Sequence, residues 1–401
     1  MQQSTISEEK IIEFRQSIEN QLRKRVLEAI ETVLEEEIEQ SLRCGRYERG
    51  EERRGYRNGA ENRRVTTAIG TRTIRIPRAR LFDEEKGTTR EFRSELLPRY
   101  ARRTREVDEA VLGAYLSGAN SRRIRKALKP LLGEEHLSKS SVSRVASRLR
   151  QRFEEWRQRD LSAESYAIVY LDGFHLKVRL AKRVVSVPVL AALGVSEDGT
   201  KQLISIRLAV SEAAANWSSL VEDLQQRGLR APRLLITDGH KGLKKALELW
   251  SGCRVQRCTR HKWVNLSEAC PSHARSELRR DYHQIIYAKG GIEARKAYRE
   301  FVGKWSRLCP AVVTSLEEAG EELLTFYEFP RPMWRSLRTT NPLENLNREF
   351  RRRTKTQASF STEEASLTLL FGLVASGQIQ LRRIDGYKKL PEVIESWNKA
   401  A

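Results

Sequence analysis

Residues 167–173, AIVYLDG, form an apolar run that ends in a carboxylate and a glycine. A short apolar run of this kind, with several β-branched residues, predicts a buried strand. The pattern recurs in residues 234–239, LLITDG, so Asp172 and Asp238 each stand at the end of a predicted strand. The other elements predicted around them are strands over 184–195, 203–210 and 255–258 and helices over 217–226 and 242–250. Adjacent strands with tight turns, followed by alternating strands and helices, predict a mixed α/β sheet.

A second informative stretch, residues 339–355, TTNPLENLNREFRRRTK, predicts a helix. Asn341 is a favourable N-cap, proline is tolerated directly after it, and Glu344 falls three residues after the cap. One side of this helix is apolar and consists of Leu343, Leu346 and Phe350. Glu344 shares another side with three cations, which are Arg348, Arg351 and Lys355.

The three acids each have a structural and a functional interpretation. Asp-Gly is an ordinary turn sequence, Asp238 is suited to cap the helix after it, and Glu344 is suited to close a capping box. Alternatively the acids act together, since strand ends are where an α/β sheet presents functional groups. Two strand aspartates and a glutamate from a later helix would hold two divalent ions, and hard oxygen ligands select Mg²⁺ or Mn²⁺.

The composition favours a polyanionic partner. The chain has 401 residues, 39% of them hydrophobic, which is enough for two or three domains with substantial cores. Its formal net charge of +21 predicts nucleic acid as the partner; the alternative is a basic protein that is merely soluble. We find no signal peptide or membrane span and only five cysteines, so we expect reduced thiols in a cytoplasm and no membrane.

Residues 1–42 predict a long helix, and residues 43–98 predict an arginine-rich arm with a β-hairpin over 65–78. The helix carries an apolar stripe of Ile11, Phe14, Ile18, Leu22, Val26, Ile30 and Val33. This stripe suggests dimerisation, and packing on its own chain is the alternative. Arginines among glycines and β-branched residues suit phosphate contact; the alternative is a solvated flexible arm, and both hold if the arm becomes ordered on DNA. The arginines selected as DNA contacts are Arg54, Arg57 and Arg78.

Residues 99–155 predict a helix-turn-helix-like DNA-binding domain. Two short helices are predicted on either side of a break at 117–121, and a third helix covers 137–149. One face of the third helix carries small polar and basic residues, as a recognition helix does. Its predicted contacts with a DNA groove are Ser140, Ser141, Arg144 and Arg148.

Together these features resemble the Mutator-type transposases of bacterial insertion sequences, and the resemblance covers nearly the whole chain. It is carried by RGYRNG at 54–59, IPR at 76–78, YLDG at 170–173, DGHKGL at 238–243, QRCTRH at 256–261 and TNPLEN at 340–345. The resemblance implies an RNase H-like catalytic domain with a helical insertion, preceded by mostly helical DNA-binding regions. It also implies that Asp172, Asp238 and Glu344 form an Asp-Asp-Glu triad that binds two Mg²⁺ or Mn²⁺ ions.

The block at 256–261 contains a Cys-x-x-His pair, Cys258 and His261. Because Cys270 and His273 follow with the same spacing, a zinc site is one interpretation. The other interpretation packs Cys258 in the core and leaves His261 near the active site, bonded to the substrate or to a triad carboxylate. His261 is therefore a catalytic candidate, and zinc binding stays open.

The resemblance implies a transposase that cleaves DNA at transposon ends and transfers the strands. Its expected partners are terminal inverted repeats and target DNA, and we expect a homodimer or a higher synaptic complex associated with the bacterial nucleoid. The alternatives are a structure-specific RNase H-like nuclease such as a resolvase, and an inactive DNA-binding regulator. The expected domains are an N-terminal helix (1–42), the arm and hairpin (43–98), the helix-turn-helix-like domain (99–155), the first part of the catalytic domain (156–266), the helical insertion (267–336) and C-terminal catalytic helices (337–401).

Overall fold

Two regions of the chain fold around separate cores in the computed structural model. Unit 1 comprises Met1–Tyr115 and Ala119–Ser147, and unit 2 comprises Leu116–Gly118 and Arg148–Ala401. The structure describes residues 8–48, 51–68, 70–83, 87–117, 119, 121–132, 139–180, 183–209, 214–239, 243, 248–250, 252–354 and 362–400. Lys355 and most of the predicted helix over 242–250 lie outside these residues.

Unit 1 contains a long helix, a small antiparallel sheet and a group of shorter helices. Its elements are α1 (Glu8–Leu42), β1 (Gly55–Thr67), β2 (Gly70–Asp83), β3 (Thr88–Glu91), α2 (Arg105–Leu116), α3 (Ser121–Leu132) and the first part of α4 (Lys139–Gln158). The strands pair in the order β1-β2-β3. The predicted hairpin is confirmed, and it is longer than expected because β1 and β2 continue to pair from Thr67↔Gly70 as far as Gly55↔Leu81.

The C-terminal half of α1 packs against the hairpin. Leu34, Ile38 and Leu42 recur every four residues, so they share one side of the helix, and all three are buried. The apolar stripe nearer the N-terminus differs, since the Phe14 side chain is 68% exposed and that of Leu22 is 57% exposed. Packing on the same chain therefore describes the end of α1, whereas dimerisation through the exposed stripe stays a prediction.

The helices α2, α3 and α4 occur where the sequence predicts them. They pack around an apolar cluster formed by Val107, Val111, Ile124, Leu132, Val142 and Val145. Because these residues recur at helical spacing, they share one side of each helix and together form a small core within unit 1.

Unit 2 is built on a five-stranded mixed sheet. Its further elements are β4 (Tyr166–Leu180), β5 (Arg183–Ser196), β6 (Lys201–Leu208), α5 (Ala214–Gln226), β7 (Leu234–Thr237), β8 (Arg254–Arg257), α6 (Thr259–Ala269), α7 (Arg275–Ile286), α8 (Gly291–Leu308), α9 (Pro310–Ala319), α10 (Trp334–Leu337), α11 (Asn341–Thr354), α12 (Glu363–Ala375) and α13 (Leu390–Ala400). The strand order is β6-β5-β4-β7-β8, in which β5 is antiparallel to β4 and β6, and β7 is parallel to β4 and β8. This topology confirms the predicted RNase H-like mixed sheet.

The two faces of the sheet are covered by different helices. Val169 and Leu171 of β4 belong to the apolar cluster that contains Trp217 of α5. Phe174 lies on the other face, where its ring stacks on Phe350 of α11 with centroids 6.1 Å apart. Strand β4 is therefore buried on both faces, which explains its unbroken apolar sequence.

Between the sheet and α11, the chain is helical, as predicted for residues 267–336. Helices α6 to α9 contribute to a core of their own that includes Leu266, Leu278, Phe301, Trp305 and Val312. This core makes the insertion a packed body rather than a loop, and it returns the chain to the sheet at α11.

Candidate active site

Asp172 and Asp238 lie at the same level on neighbouring strands. In the parallel pairing of β4 and β7, Leu171 is opposite Thr237, so the next residues of each chain are the two aspartates. Thr237 is in turn opposite Arg257 of β8, and the residue after Arg257 is Cys258. Since neighbouring strands are about 4.8 Å apart, Asp172, Asp238 and Cys258 form a row across three neighbouring strands. The prediction that Asp172 ends its strand is wrong, because β4 continues to Leu180 and pairs Asp172 with Ala191 of β5, whereas β7 and β8 do end at this level.

Asp172 points towards the face covered by α11. Side chains alternate along a strand, so Asp172 shares a face with Tyr170 and Phe174. The Tyr170 hydroxyl donates to the Ser336 carbonyl at 3.1 Å, and Phe174 stacks on Phe350 of α11. Asp172 itself is only 5% exposed.

The position after Asp238 favours a glycine. Gly239 has a φ of +78°, in the left-handed region that side chains disfavour. A Cβ atom at this position would also collide with the guanidinium of Arg257, which is buried and held by Glu318 at 2.9 Å. Position 239 therefore favours glycine, while residues 240–242, which would complete a turn, lie outside the described part of the chain.

Helix α11 begins one residue earlier than predicted. It starts at Asn341, so the capping position belongs to Thr340, whose carbonyl accepts from the Leu343 and Glu344 amides at 2.9 Å each. The Thr340 amide lies 3.4 Å from the Cys258 sulfur, which anchors this residue to the end of β8. The Asn341 cap is therefore wrong, and the Glu344 carboxylate accepts from the Thr340 hydroxyl at 3.3 Å instead of closing a box on Asn341.

His261 lies beside Glu344. Its Nε2 atom is 3.7 Å from Oε1 of Glu344. A hydrogen bond with Cys258 raises the pKa of His261 to about 9, against the opposing effect of burial, and the negative charges of Asp172 and Asp238 add to this. The strand register places Asp172 and Asp238 in one row with Cys258, and the ligand atoms of Cys258 lie within 4.8 Å of those of His261 and Glu344.

Cys258 is the buried end of this cluster. It has no exposed surface, and burial disfavours its charged form, but hydrogen bonds with His261 and Thr340 outweigh burial and lower the pKa of the thiol. The ligand atoms of Cys258, His261 and Glu344 all lie within 4.8 Å of one another. Neither Cys270 nor His273 belongs to such a group of ligand atoms within the described part of the chain.

Two residues of the site were not singled out from the sequence. Arg260 donates from Nη1 to Oε2 of Glu344 at 2.8 Å, and Thr340, which is fully buried, contacts Glu344, His261 and Cys258. The sequence indicated these two residues only through their neighbours, because Arg260 directly precedes His261 and Thr340 directly precedes Asn341. The contact between Arg260 and Glu344 joins residues 84 positions apart in the chain. The periodicity of one segment gives no information about a contact over that distance.

The cations of α11 differ in their partners. Arg348 and Arg351 are exposed, and neither forms an ion pair within the described part of the chain. Arg352 is also exposed, but it donates to Glu349 at 2.7 Å. Helix α11 therefore presents two available guanidinium groups on the same element as Glu344.

The DNA contacts predicted in the N-terminal half have different surroundings. Arg54 and Arg78 are exposed, but Arg78 donates to Glu91 at 3.1 Å, and Arg57 is bound by two acids of α1. Of the four contacts predicted on α4, Ser140, Arg144 and Arg148 are exposed. Ser141 is only 6% exposed, because α4 turns it to the same side as Val142 and Val145.

The fold defines the class of this protein. The five-stranded mixed sheet with its helical insertion, and the acids on its neighbouring strands β4 and β7, belong to the RNase H-like class. The sequence matches the model of the family described as "Transposase, Mutator family" over residues 1–382. The chain belongs to this family of transposases, as the sequence blocks indicated. None of the helices in the described part of the chain is long and apolar enough to cross a membrane.

Individual relatives cover most of the chain. The transposase for insertion sequence element ISRM5 of Rhizobium meliloti is 31% identical over 88% of this chain and 86% of its own length. The transposase for IS406 of Burkholderia multivorans is 34% identical over 82% of this chain and 83% of its own length. The transposase for IS1081 of Mycobacterium tuberculosis is 34% identical over 84% of this chain and 79% of its own length.

Proposed function

We propose that this transposase cleaves the ends of an insertion sequence and joins them to new DNA through a triad of Asp172, Asp238 and Glu344. The observation that carries the proposal is the placement of three carboxylates on neighbouring elements. Asp172 within β4 and Asp238 directly after β7 lie at the same level on paired parallel strands, and Glu344 stands in the first turn of α11, the helix packed on that face of β4. A capping role alone does not explain why Glu344 lies beside His261, on the helix that covers the same face of β4 as Asp172.

The donor set fits two Mg²⁺ or Mn²⁺ ions. All three side chains offer carboxylate oxygens, which are the hard ligands that these ions prefer. Asp172 is 5% exposed, and bound cations would stabilise the charged form of a carboxylate at this depth. When bound, the ions would activate the attacking oxygen and stabilise the leaving oxygen of the scissile phosphodiester.

The surrounding residues would orient the reactants. The Thr340 hydroxyl donates to Glu344 and so restricts the rotation of its carboxylate. Arg348 and Arg351 are suited to hold phosphates of the DNA backbone beside the acids. His261 stands near the three carboxylates and is suited to contact the same phosphate group.

The substrates proposed are the terminal inverted repeats of the element and a target DNA. Support comes from the relatives, whose names describe transposases for insertion sequence elements, and from the net charge of +21. We further propose a homodimer or a larger synaptic complex, since two ends are brought together in such a reaction.

Incubation of the protein with DNA that carries the element ends, in the presence of Mg²⁺, tests this proposal. We expect joined strand-transfer products. The variants Asp172→Asn, Asp238→Asn and Glu344→Gln should each lose at least about 1,000-fold in rate, because a metal ligand supports several kcal/mol of transition-state stabilisation.

The variant Glu349→Gln is the matched control, since it removes a carboxylate from the same helix that is engaged with Arg352. It should retain strand transfer. Full activity in any of the three triad variants would overturn the triad. Cleavage without joining would indicate a nuclease, and DNA binding without either reaction would indicate a regulator.

A further inference from the structure

Cys258 and His261 form one end of a cluster whose chemistry differs from that of the three acids. Cys258 immediately precedes α6, and His261 follows three residues later, so both side chains lie on one side of its first turn. Glu344 approaches from α11, with Oε1 at 3.7 Å from Nε2 of His261. A thiol, an imidazole and a carboxylate thus meet in one place, with their ligand atoms within 4.8 Å of one another.

We infer that Cys258, His261 and Glu344 form a site for a thiophilic divalent ion, Zn²⁺, which competes with Mg²⁺ for Glu344. Sulfur and imidazole nitrogen select zinc, whereas Mg²⁺ takes only hard oxygen ligands. The second part of this inference rests on the proposed function, in which Glu344 is a ligand of the catalytic ions. The first part, the zinc site itself, does not depend on it.

The geometry is close to that of a zinc site before any ion is added. Bonds of about 2.0–2.3 Å in a tetrahedron separate the ligand atoms by roughly 3.3–3.8 Å. The separation of 3.7 Å between His261 and Glu344 already falls in this range, and the remaining distances need to shorten by about 1 Å or less.

The surroundings favour entry of an ion from one side. Cys258 and Thr340 close the buried end, because both are fully inaccessible. Glu344 and His261 form the accessible end, with side chains 23% and 36% exposed. The Arg260 guanidinium, which pairs with Glu344, is 63% exposed, and an ion pair of that kind is weak enough to be displaced.

The competing pairing of Cys258 and His261 with Cys270 and His273 is not supported by the fold. Cys270 is packed in the core of the helical insertion. His273 is exposed on the short turn before α7. Glu344, rather than the second Cys-x-x-His pair, therefore completes the ligand set.

Metal titration of the metal-free, full-length protein without DNA tests the site. Cobalt(II) serves as the probe, since thiolate coordination gives it a charge-transfer absorption band, and Zn²⁺ should then displace it at one equivalent. Cys258→Ser should abolish the band and weaken zinc binding at least about 100-fold, the upper end of what the loss of a mere outer-shell partner costs. Glu344→Gln should keep the band but weaken zinc binding.

Cys270→Ser is the matched control and should leave the band and the zinc affinity unchanged. A band that survives Cys258→Ser, or a band lost in Cys270→Ser, would overturn the site, as would an absence of saturable binding in the unaltered protein. Glu344→Gln keeps the test decisive if Cys258→Ser fails to fold, because unchanged zinc affinity in that variant removes Glu344 from the site.

The competition is measured separately, as the ratio of strand transfer with and without Zn²⁺ at fixed Mg²⁺. The unaltered protein should be inhibited by zinc, and inhibition should be relieved by excess Mg²⁺. Zinc binding without inhibition would contradict the proposed competition for Glu344 but not the zinc site itself. A protein that binds zinc as expected but never joins DNA in Mg²⁺ alone would instead reject the proposed function.

Discussion

The two arginine-rich regions of this chain use their positive charge in different ways. In unit 1, Arg57 donates to Glu35 and Glu39 of α1 at 2.5 and 3.1 Å. In unit 2, Arg348 and Arg351 extend from α11, and neither forms an ion pair within the residues that the structure describes. The number of arginines in a segment therefore does not indicate how many of them are available to DNA.

The difference arises from the acids of α1. Glu37 accepts from the Ser94 hydroxyl at 2.5 Å and from the Leu96 amide at 3.1 Å, and Glu31 accepts from the Arg75 amide at 2.9 Å. These carboxylates connect α1 to the hairpin and the segment after it. The acids of α1 thus hold the hairpin through neutral donors and through the Arg57 guanidinium, whereas Arg348 and Arg351 of α11 form no ion pair within the described part of the chain.

Among substitutions of the arginines and of the acids that pair with them, the double substitution Arg348→Ala/Arg351→Ala should have the largest effect on DNA binding. Loss of two phosphate contacts should reduce the slope of log K against log salt by about two and weaken DNA binding about 10-fold or more at physiological salt. Filter binding or fluorescence anisotropy over a salt series measures both. Arg352→Ala is the control on the same helix, because Arg352 is engaged with Glu349. An equal loss of slope in the control would contradict the contrast between available and engaged arginines.

Much of the catalytic unit could be predicted from the sequence. Strand β4 is buried on both faces, so the apolar run before Asp172 is unbroken, and this run identifies the strand; the run does not show that the strand continues beyond Asp172 to Leu180. The apolar side of α11 is likewise visible as Leu343, Leu346 and Phe350, all of which are buried. These local patterns identify the positions of the sheet and of α11, and the family blocks add the grouping of the acids.

Contacts between distant segments could not be predicted in this way. The cap at Thr340 depends on the Cys258 sulfur, which belongs to the end of β8. The burial of Ser141 depends on which side of α4 meets α2 and α3, and a small polar residue gives no signal of this. Likewise the engagement of Arg57 depends on acids more than 15 positions earlier in the chain.

A smaller effect, on stability rather than on binding, is expected from Arg57→Ala. Its side chain is 22% exposed and bridges two carboxylates, so its loss should destabilise the packing of the hairpin on α1 by about 1–2 kcal/mol. Amide hydrogen exchange in β1 and β2 should accelerate about 5- to 30-fold, while the salt slope for DNA stays near that of the unaltered protein. Arg54→Ala, at an exposed position before β1, should give the opposite pair of results. A large change of slope in Arg57→Ala would place Arg57 on the DNA after all.

The smallest effect on DNA binding is expected from Glu39→Gln, which removes one of the two ion pairs between α1 and Arg57. Release of one such ion pair is worth about 0.5 kcal/mol, so DNA binding should tighten about two-fold. Glu36→Gln removes the same formal charge from the same helix, but Glu36 is exposed and has no ion pair within the described part of the chain. If Arg57 is the group released, only Glu39→Gln tightens binding, and the gain disappears in Glu39→Gln/Arg57→Ala. If both glutamine variants tighten binding equally, the gain reflects net charge, and the acids of α1 do not withhold this arginine from DNA.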